Sequence, residues 1–331
     1  MKCAVLGTGS WGTALAQVLA DNGHDVVLWG INPNEVHDIN ENHHNSKFFE
    51  CRISEKLKAS LDLSVIHDAE LILLAVPSIA IEETLQKAVA VLDHPVLIIN
   101  VAKGFHPVSH KRLSVVIEET VPAADRRAVV SLIGPSHAEE VILRMLTAIN
   151  AVSEDEAAAE QVQELFSNHY FRVYRNTDVI GAEIGVAVKN IMAIAAGILE
   201  GIGQGDNARA ALMTRGLAEM SRFGIALGGK KDTYLGLDGV GDLIVTCTSR
   251  HSRNFMAGYA IGKAGDAKSF LETNTKTVEG ISACRIVHEE AEKRGISMPI
   301  TDQVYQVLFA GKRPSDAIDD LMRRDLKSEE A

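Results

Sequence analysis

The chain has 331 residues, 46% hydrophobic and 23% charged, and 44 acidic side chains against 33 basic ones give a net charge of −11. At roughly 150 residues per domain two domains are expected, and the ordinary globular composition excludes disorder as a description of the whole. With this acidic balance and no lysine–arginine block, nucleic acid is not an expected partner, and any small anion must be met by local positive charge.

In chain order, short apolar runs predict strands at 3–6, 26–29, 71–76, 96–101, 128–133 and 147–152, with 171–174 closing the sheet. Helical patterns lie between them at 12–22, 34–42, 79–92, 111–120 and 155–166. That alternation is the pattern of a parallel, doubly wound sheet with crossover helices. From Asp178 the strand-like runs stop, and long Ala/Leu/Ile/Met segments predict helices at 179–199, 208–227, 253–262, 279–294 and 301–309. The expectation is an α/β dinucleotide-type domain over 1–177 followed by an all-α domain over 178–331. No signal-peptide pattern opens the chain, and Glu183, Lys189 and Asn190 interrupt the longest apolar run, so a membrane span is not expected. Cys3, Cys51, Cys247 and Cys284 lack the spacing of a zinc site or disulfide framework, which predicts reduced thiols in a cytoplasm and no bound metal.

Gly7-Thr8-Gly9-Ser10-Trp11-Gly12 matches G-x-G-x-x-G between a strand and a helix, the context in which that motif holds a dinucleotide. Gly7 permits the turn, Gly9 lets backbone approach a pyrophosphate, and Gly12 lets helix and strand pack closely. The phosphates then meet the free N–H groups and dipole of the helix N-terminus. The end of the second strand reads Trp29-Gly30-Ile31-Asn32, with neither the acid of an NAD site nor the arginine of an NADP site. Asn32 is able to bond either cofactor, so the choice between NAD and NADP stays open.

Lys189 sits beside Asn190 in an apolar helix. If buried, its pKa is pushed down and it suits acid/base work; if the helix turns it outward, it is a surface lysine. Lys103 in Ala102-Lys103-Gly104 follows a strand at the carboxyl edge of the sheet, where open α/β folds bind ligands. Gly134-Pro135-Ser136-His137-Ala138-Glu139 ends the next strand, and Ser136 with Glu139 also reads as a capping box. Gly239-Val240-Gly241-Asp242 precedes Ser252-Arg253-Asn254, where Ser252 reads as an N-cap and Arg253 and Asn254 add donors for a phosphate.

Taken together, GTGSWGTALA (7–16), VAKG (101–104), GPSHA (134–138), AVKN (187–190), TRGLAE (214–219) and GVGDLIVTCTSRHSRN (239–254) resemble the bacterial-type NAD(P)-dependent glycerol-3-phosphate dehydrogenases over essentially the full chain. The resemblance implies reversible hydride transfer between dihydroxyacetone phosphate and sn-glycerol 3-phosphate, feeding glycerophospholipid synthesis, and suggests a homodimer. It casts Lys189 as proton donor and acceptor, and Lys103, Gly134, Ser136, Asp242, Ser252, Arg253 and Asn254 as substrate contacts. Asp242 either orients Lys189 or meets a substrate hydroxyl. Ser10, Trp11, Lys103, Ala138, Arg253, Val278 and Glu279 match positions lining the dinucleotide. A related dehydrogenase for another small acid or phosphate, and a dinucleotide sensor without turnover, are the alternatives; the Ser252–Asn254 cluster and the two lysines weigh against them.

Overall fold

The computed structural model describes residues 1–275, 277–326 and 328–329. Its strands are β1 (Lys2–Leu6), β2 (Asp25–Trp29), β3 (Lys58–Ser60), β4 (Leu71–Leu74), β5 (Val96–Asn100), β6 (Arg126–Ile133), β7 (Thr147–Val152) and β8 (Phe171–Asn176). They form one sheet of order β3-β2-β1-β4-β5-β6-β7-β8. The strands from β3 to β6 in that order run parallel. β1, β4 and β5 are buried on both faces, which is why they read as unbroken apolar runs rather than alternating ones.

Two features of the sheet depart from the sequence expectation. Lys58-Ala59-Ser60 adds an edge strand to β2, too short and too polar to show a period. β7 runs antiparallel to β6, and β8 then pairs parallel to β7. A parallel return usually carries a full helix across the sheet face, and the connection between β6 and β7 carries only the four-residue helix Ala138–Val141.

The helices of this half are α1 (Ser10–Asp21), α2 (Pro33–His37), α3 (Ile81–Val89), α4 (Leu113–Thr120), α5 (Ala138–Val141) and α6 (Glu156–Phe166). The helix expected over 34–42 is α2 followed by a wider π-type turn, Asp38–Asn42, ending on His43 at φ 51°. β1 lies between β2 and β4, so the strand order reverses beside it and the crevice beyond its carboxyl end is the place where such sheets take ligands.

The second half consists of α7 (Val179–Gly201), α8 (Asp206–Ala226), α9 (Asp242–Thr248), α10 (Arg253–Ala264), α11 (Lys268–Thr273), α12 (Glu279–Arg294), α13 (Pro299–Phe309) and α14 (Pro314–Met322), with short 3-10 and π turns over 231–241. Asp178 starts α7 by accepting a hydrogen bond from the Gly181 N–H. α7 is long and apolar enough to cross a membrane, but 89% of its most apolar window is buried inside the protein, where it is the core of the helical half. Glycines set its closest contact. A Cβ on Gly258 of α10 would collide with the Ile194 carbonyl, and one on Gly197 of α7 with the Phe255 carbonyl.

Two buried carboxylates tie the halves together. Glu183 of α7 accepts from the Ser114 N–H (3.0 Å) and Oγ (2.7 Å) at the start of α4, and from Arg112 Nη1 (3.0 Å). Asp238, in the turn before α9, accepts from Asn150 of β7 (2.7 Å) and Asn176 of β8 (2.8 Å). All four cysteines are free thiols.

Candidate active site

The glycine turn is fixed by sterics at two of its three positions. Gly7 has φ 123°, and a Cβ there would strike the Ala75 carbonyl beyond β4; a Cβ on Gly12 would strike the Gly7 carbonyl. A Cβ on Gly9 would meet nothing within 4 Å. Crowding excludes side chains at Gly7 and Gly12, while the open side of Gly9 and the α1 N-terminus leave room for a pyrophosphate to lie against backbone. These residues fit a dinucleotide.

The end of β2 is engaged differently from either expected form. Asn32 caps α2, its side chain accepting from the Asn34 N–H at 3.0 Å and donating to Glu35 Oε1 at 2.9 Å. Glu35 is buried and also accepts from Thr8 Oγ1 (2.6 Å) and Lys47 Nζ (2.6 Å). Ile31 projects to solvent.

The carboxyl ends of β5 and β6 deliver Lys103, Gly134 and Ser136 to the same edge of the sheet. Gly134 has φ 149°, and a Cβ there would press on Ile149 of β7. The capping box expected from Ser136 and Glu139 is not formed. The residue before α5 is His137, without a side-chain cap, and Ser136 Oγ instead donates to the Gly134 carbonyl at 3.1 Å. The short turn between strand and helix shifts the cap one residue along, beyond the reach of that pair.

From the helical half, α7 brings Lys189 to the sheet edge with 2% of its surface exposed, which removes the surface-lysine alternative. Its Nζ donates to Asp242 Oδ1 (2.6 Å) and Thr246 Oγ1 (2.8 Å), both on α9. Thr246 Oγ1 donates in turn to the Asp242 carbonyl at 2.6 Å. Lys103 Nζ lies 3.8 Å from Asp242 Oδ2, so one buried carboxylate from the helical half stands between an ammonium of each half. Burial pushes the Lys189 pKa down to about 8; Asp242 opposes the shift and Lys103 adds to it.

Ser252 caps α10, accepting from the Phe255 N–H at 3.2 Å, as its position in the sequence predicted. Asn254 Oδ1 accepts from the Gly280 N–H at 2.8 Å, which fixes the start of α12 and leaves only Nδ2 to face a ligand. Val278 and Glu279 lie at that start. Burial raises the Glu279 pKa, opposed first by the charge of Arg253 and then by those of Lys103 and Lys189. Ala138 is buried at the start of α5.

Among the described residues, eight buried side-chain polar atoms have no hydrogen-bond partner, and four of them belong here: Trp11 Nε1, His137 Nε2, Asn190 Nδ2 and Asp242 Oδ2. Unanswered buried groups are rare, and their concentration at one edge marks a surface shaped for something other than the chain itself. Sequence reading missed Thr246, His137 and Asn190 as site residues. Thr246 was within reach, since it stands four positions after Asp242 on the same helical face.

A sheet with a glycine-turned switch point, joined to a helical half that carries a buried lysine, defines the class: two-domain proteins built around a dinucleotide. Comparison with known proteins gives the family. The family model for the N-terminus of NAD-dependent glycerol-3-phosphate dehydrogenase matches residues 2–159, and that for its C-terminus matches 178–319. The chain belongs to this family. It is 50% identical over 329 residues to a glycerol-3-phosphate dehydrogenase [NAD(P)+] of Streptococcus pneumoniae (strain Hungary19A-6), covering 98% of this chain and 97% of that one. It is 48% identical to that of Streptococcus equi subsp. zooepidemicus (strain H70), covering 99% and 97%. A crystal structure of glycerol-3-phosphate dehydrogenase from Coxiella burnetii superposes with a TM-score of 0.89 at 37% identity, covering 98% and 99% of the two chains.

Proposed function

We propose that the chain is an NAD(P)-dependent glycerol-3-phosphate dehydrogenase that interconverts dihydroxyacetone phosphate and sn-glycerol 3-phosphate and supplies glycerophospholipid synthesis. Residues 1–177 act as the dinucleotide domain and 178–331 as the substrate domain. The observation that carries the reading is the buried Lys189 ammonium, held by Asp242 and Thr246 and facing Lys103 across the junction of the two halves.

The turn at Gly7, Gly9 and Gly12 with the α1 N-terminus would hold the pyrophosphate, with Ser10, Trp11, Ala138, Val278 and Glu279 lining the rest. When bound, the nicotinamide supplies the hydride chemistry. During ketone reduction negative charge grows on the carbonyl oxygen; Lys189 stabilises it and delivers the proton, and in the reverse direction neutral Lys189 takes the proton from the alcohol. Asp242 acts as orienter, because its Oδ1 already fixes the Lys189 Nζ. Lys103 adds a second positive charge at the reacting end. Ser252, Arg253 and Asn254, with Gly134 and Ser136 opposite, hold the phosphate so that the carbonyl carbon is presented to the dinucleotide. Residence in the cytoplasm and a homodimeric assembly belong to the same reading and rest on the family resemblance.

The test is oxidation of NADH and of NADPH by the purified protein with dihydroxyacetone phosphate, each cofactor titrated separately. Turnover with at least one of them is expected. A folded sample inactive with both overturns the proposal, and the two saturation curves decide the cofactor preference.

A further inference from the structure

Resting on the proposed function, we infer that His137 is a further substrate-binding residue, whose Nε2–H takes an oxygen of the substrate phosphate. His137 sits in the β6–α5 turn between Ser136 and Ala138, and its Nε2 is buried without a partner among the described residues. Its ring centroid lies 5.6 Å from that of His251, one residue before the Ser252–Asn254 cluster that approaches from the other half. The geometry therefore puts an unanswered nitrogen of the sheet edge beside the donors that the helical half aims at a phosphate. Four ionisable groups act on the ring: Lys103, Lys189 and His251 disfavour its protonation, and Glu139 favours it. Burial, with Lys103 as the next cause, holds its pKa below the ordinary histidine value. The imidazole thus works as a neutral donor and adds direction rather than a further positive charge.

The experiment compares dihydroxyacetone phosphate with unphosphorylated dihydroxyacetone at saturating cofactor. His137→Ala is expected to raise KM for the phosphorylated ketone about tenfold or more, the usual scale for a hydrogen bond to a charged group, with little change in kcat. The kcat/KM for dihydroxyacetone stays unchanged, and His137→Gln, which restores an N–H at similar reach, recovers most of the loss. Inorganic phosphate titrated calorimetrically binds more weakly to the alanine variant by the same factor, a readout that needs no turnover. Equal losses on both ketones mark a merely structural role and overturn the inference, as does an alanine variant within about twofold of the parent on KM and on phosphate binding. Phosphate binding that depends on His137 in a parent protein without ketone turnover would sink the proposed function and leave this inference standing.

Discussion

Lys189 is an ammonium placed where water hardly reaches it, and its pKa of about 8 falls within the range of ordinary assays. On the proposed function ketone reduction needs the proton on Lys189, so kcat/KM for reduction should fall as pH rises through about 8, while alcohol oxidation, which would need the free amine, should rise through the same value. Profiles that stay flat there in both directions would refute the assignment. Replacing Lys189 with Ala should cost about 10²–10⁴-fold in kcat, the usual range for a positioned acid or base, and leave the cofactor dissociation constant nearly unchanged. Stability carries the same signature with its own sign. The folded chain holds fewer protons at Lys189 than the unfolded chain between about 8 and the ordinary lysine value of 10.5, so this group makes unfolding harder as pH rises across that window. The sequence exposed Lys189 because a charge inside an apolar helix is conspicuous. It hid Thr246 and His137 because a threonine in a helix and a histidine in a turn are unremarkable until their neighbours, distant in sequence, are brought beside them.

Helix ends and helix contacts decide how these residues are held. Glu219 of α8 accepts from the Ile300 N–H (2.6 Å), the Thr301 N–H (3.2 Å) and the Thr301 Oγ1 (3.3 Å), so it caps α13 from another helix. Burial raises its pKa to about 7. The folded chain binds more protons here between the ordinary 4.5 and about 7, and this contribution to stability is lost as pH rises through that window. Glu219→Gln, which keeps an acceptor and never ionises, should flatten that part of a urea-midpoint profile, whereas Glu219→Ala should cost on the order of 2 kcal/mol at any pH by stranding the three donors. A Gln variant with the parent's slope would remove Glu219 as its source. At α7–α10, Gly258→Ala should destabilise by about 2 kcal/mol or more, because the obstructing atom is backbone carbonyl and cannot swing aside. Elements with strong apolar runs were legible from composition alone, and the cap at Ser252 was legible from its chemistry. β3, the reversal of β7 and α9 were not: the first is three residues long, the second follows from a connection whose helix stops after four residues, and the third is a seven-residue helix without a clear apolar stripe. The start of α14 did carry a signal, a proline at its first position followed by apolar residues at helical spacing.

Across the molecule the two halves meet through Glu183 on one side and Asp238 on the other. The carboxyl group of Glu183 answers four donors, Ser131 Oγ at 3.4 Å among them, and burial raises its pKa against the pull of Ser114 and Arg112. Removing it in Glu183→Ala should cost about 3 kcal/mol and, because the lost bonds join the halves rather than stabilise either one, should split the denaturant transition into two steps. A single transition with the parent's slope would show that other contacts couple the halves. Two-part architecture was readable from the change of texture near Asp178, but its fastening was not, since Ser114 and Glu183 lie 69 residues apart. Glu183 and Lys189 share one stiff rod, with six positions, or about 9 Å of rise, between them. Over so short a rise, a slackened fastening at Ser114 is expected to disturb the Lys189 end as well, so on the proposed function heat tolerance and catalytic alignment should fail together.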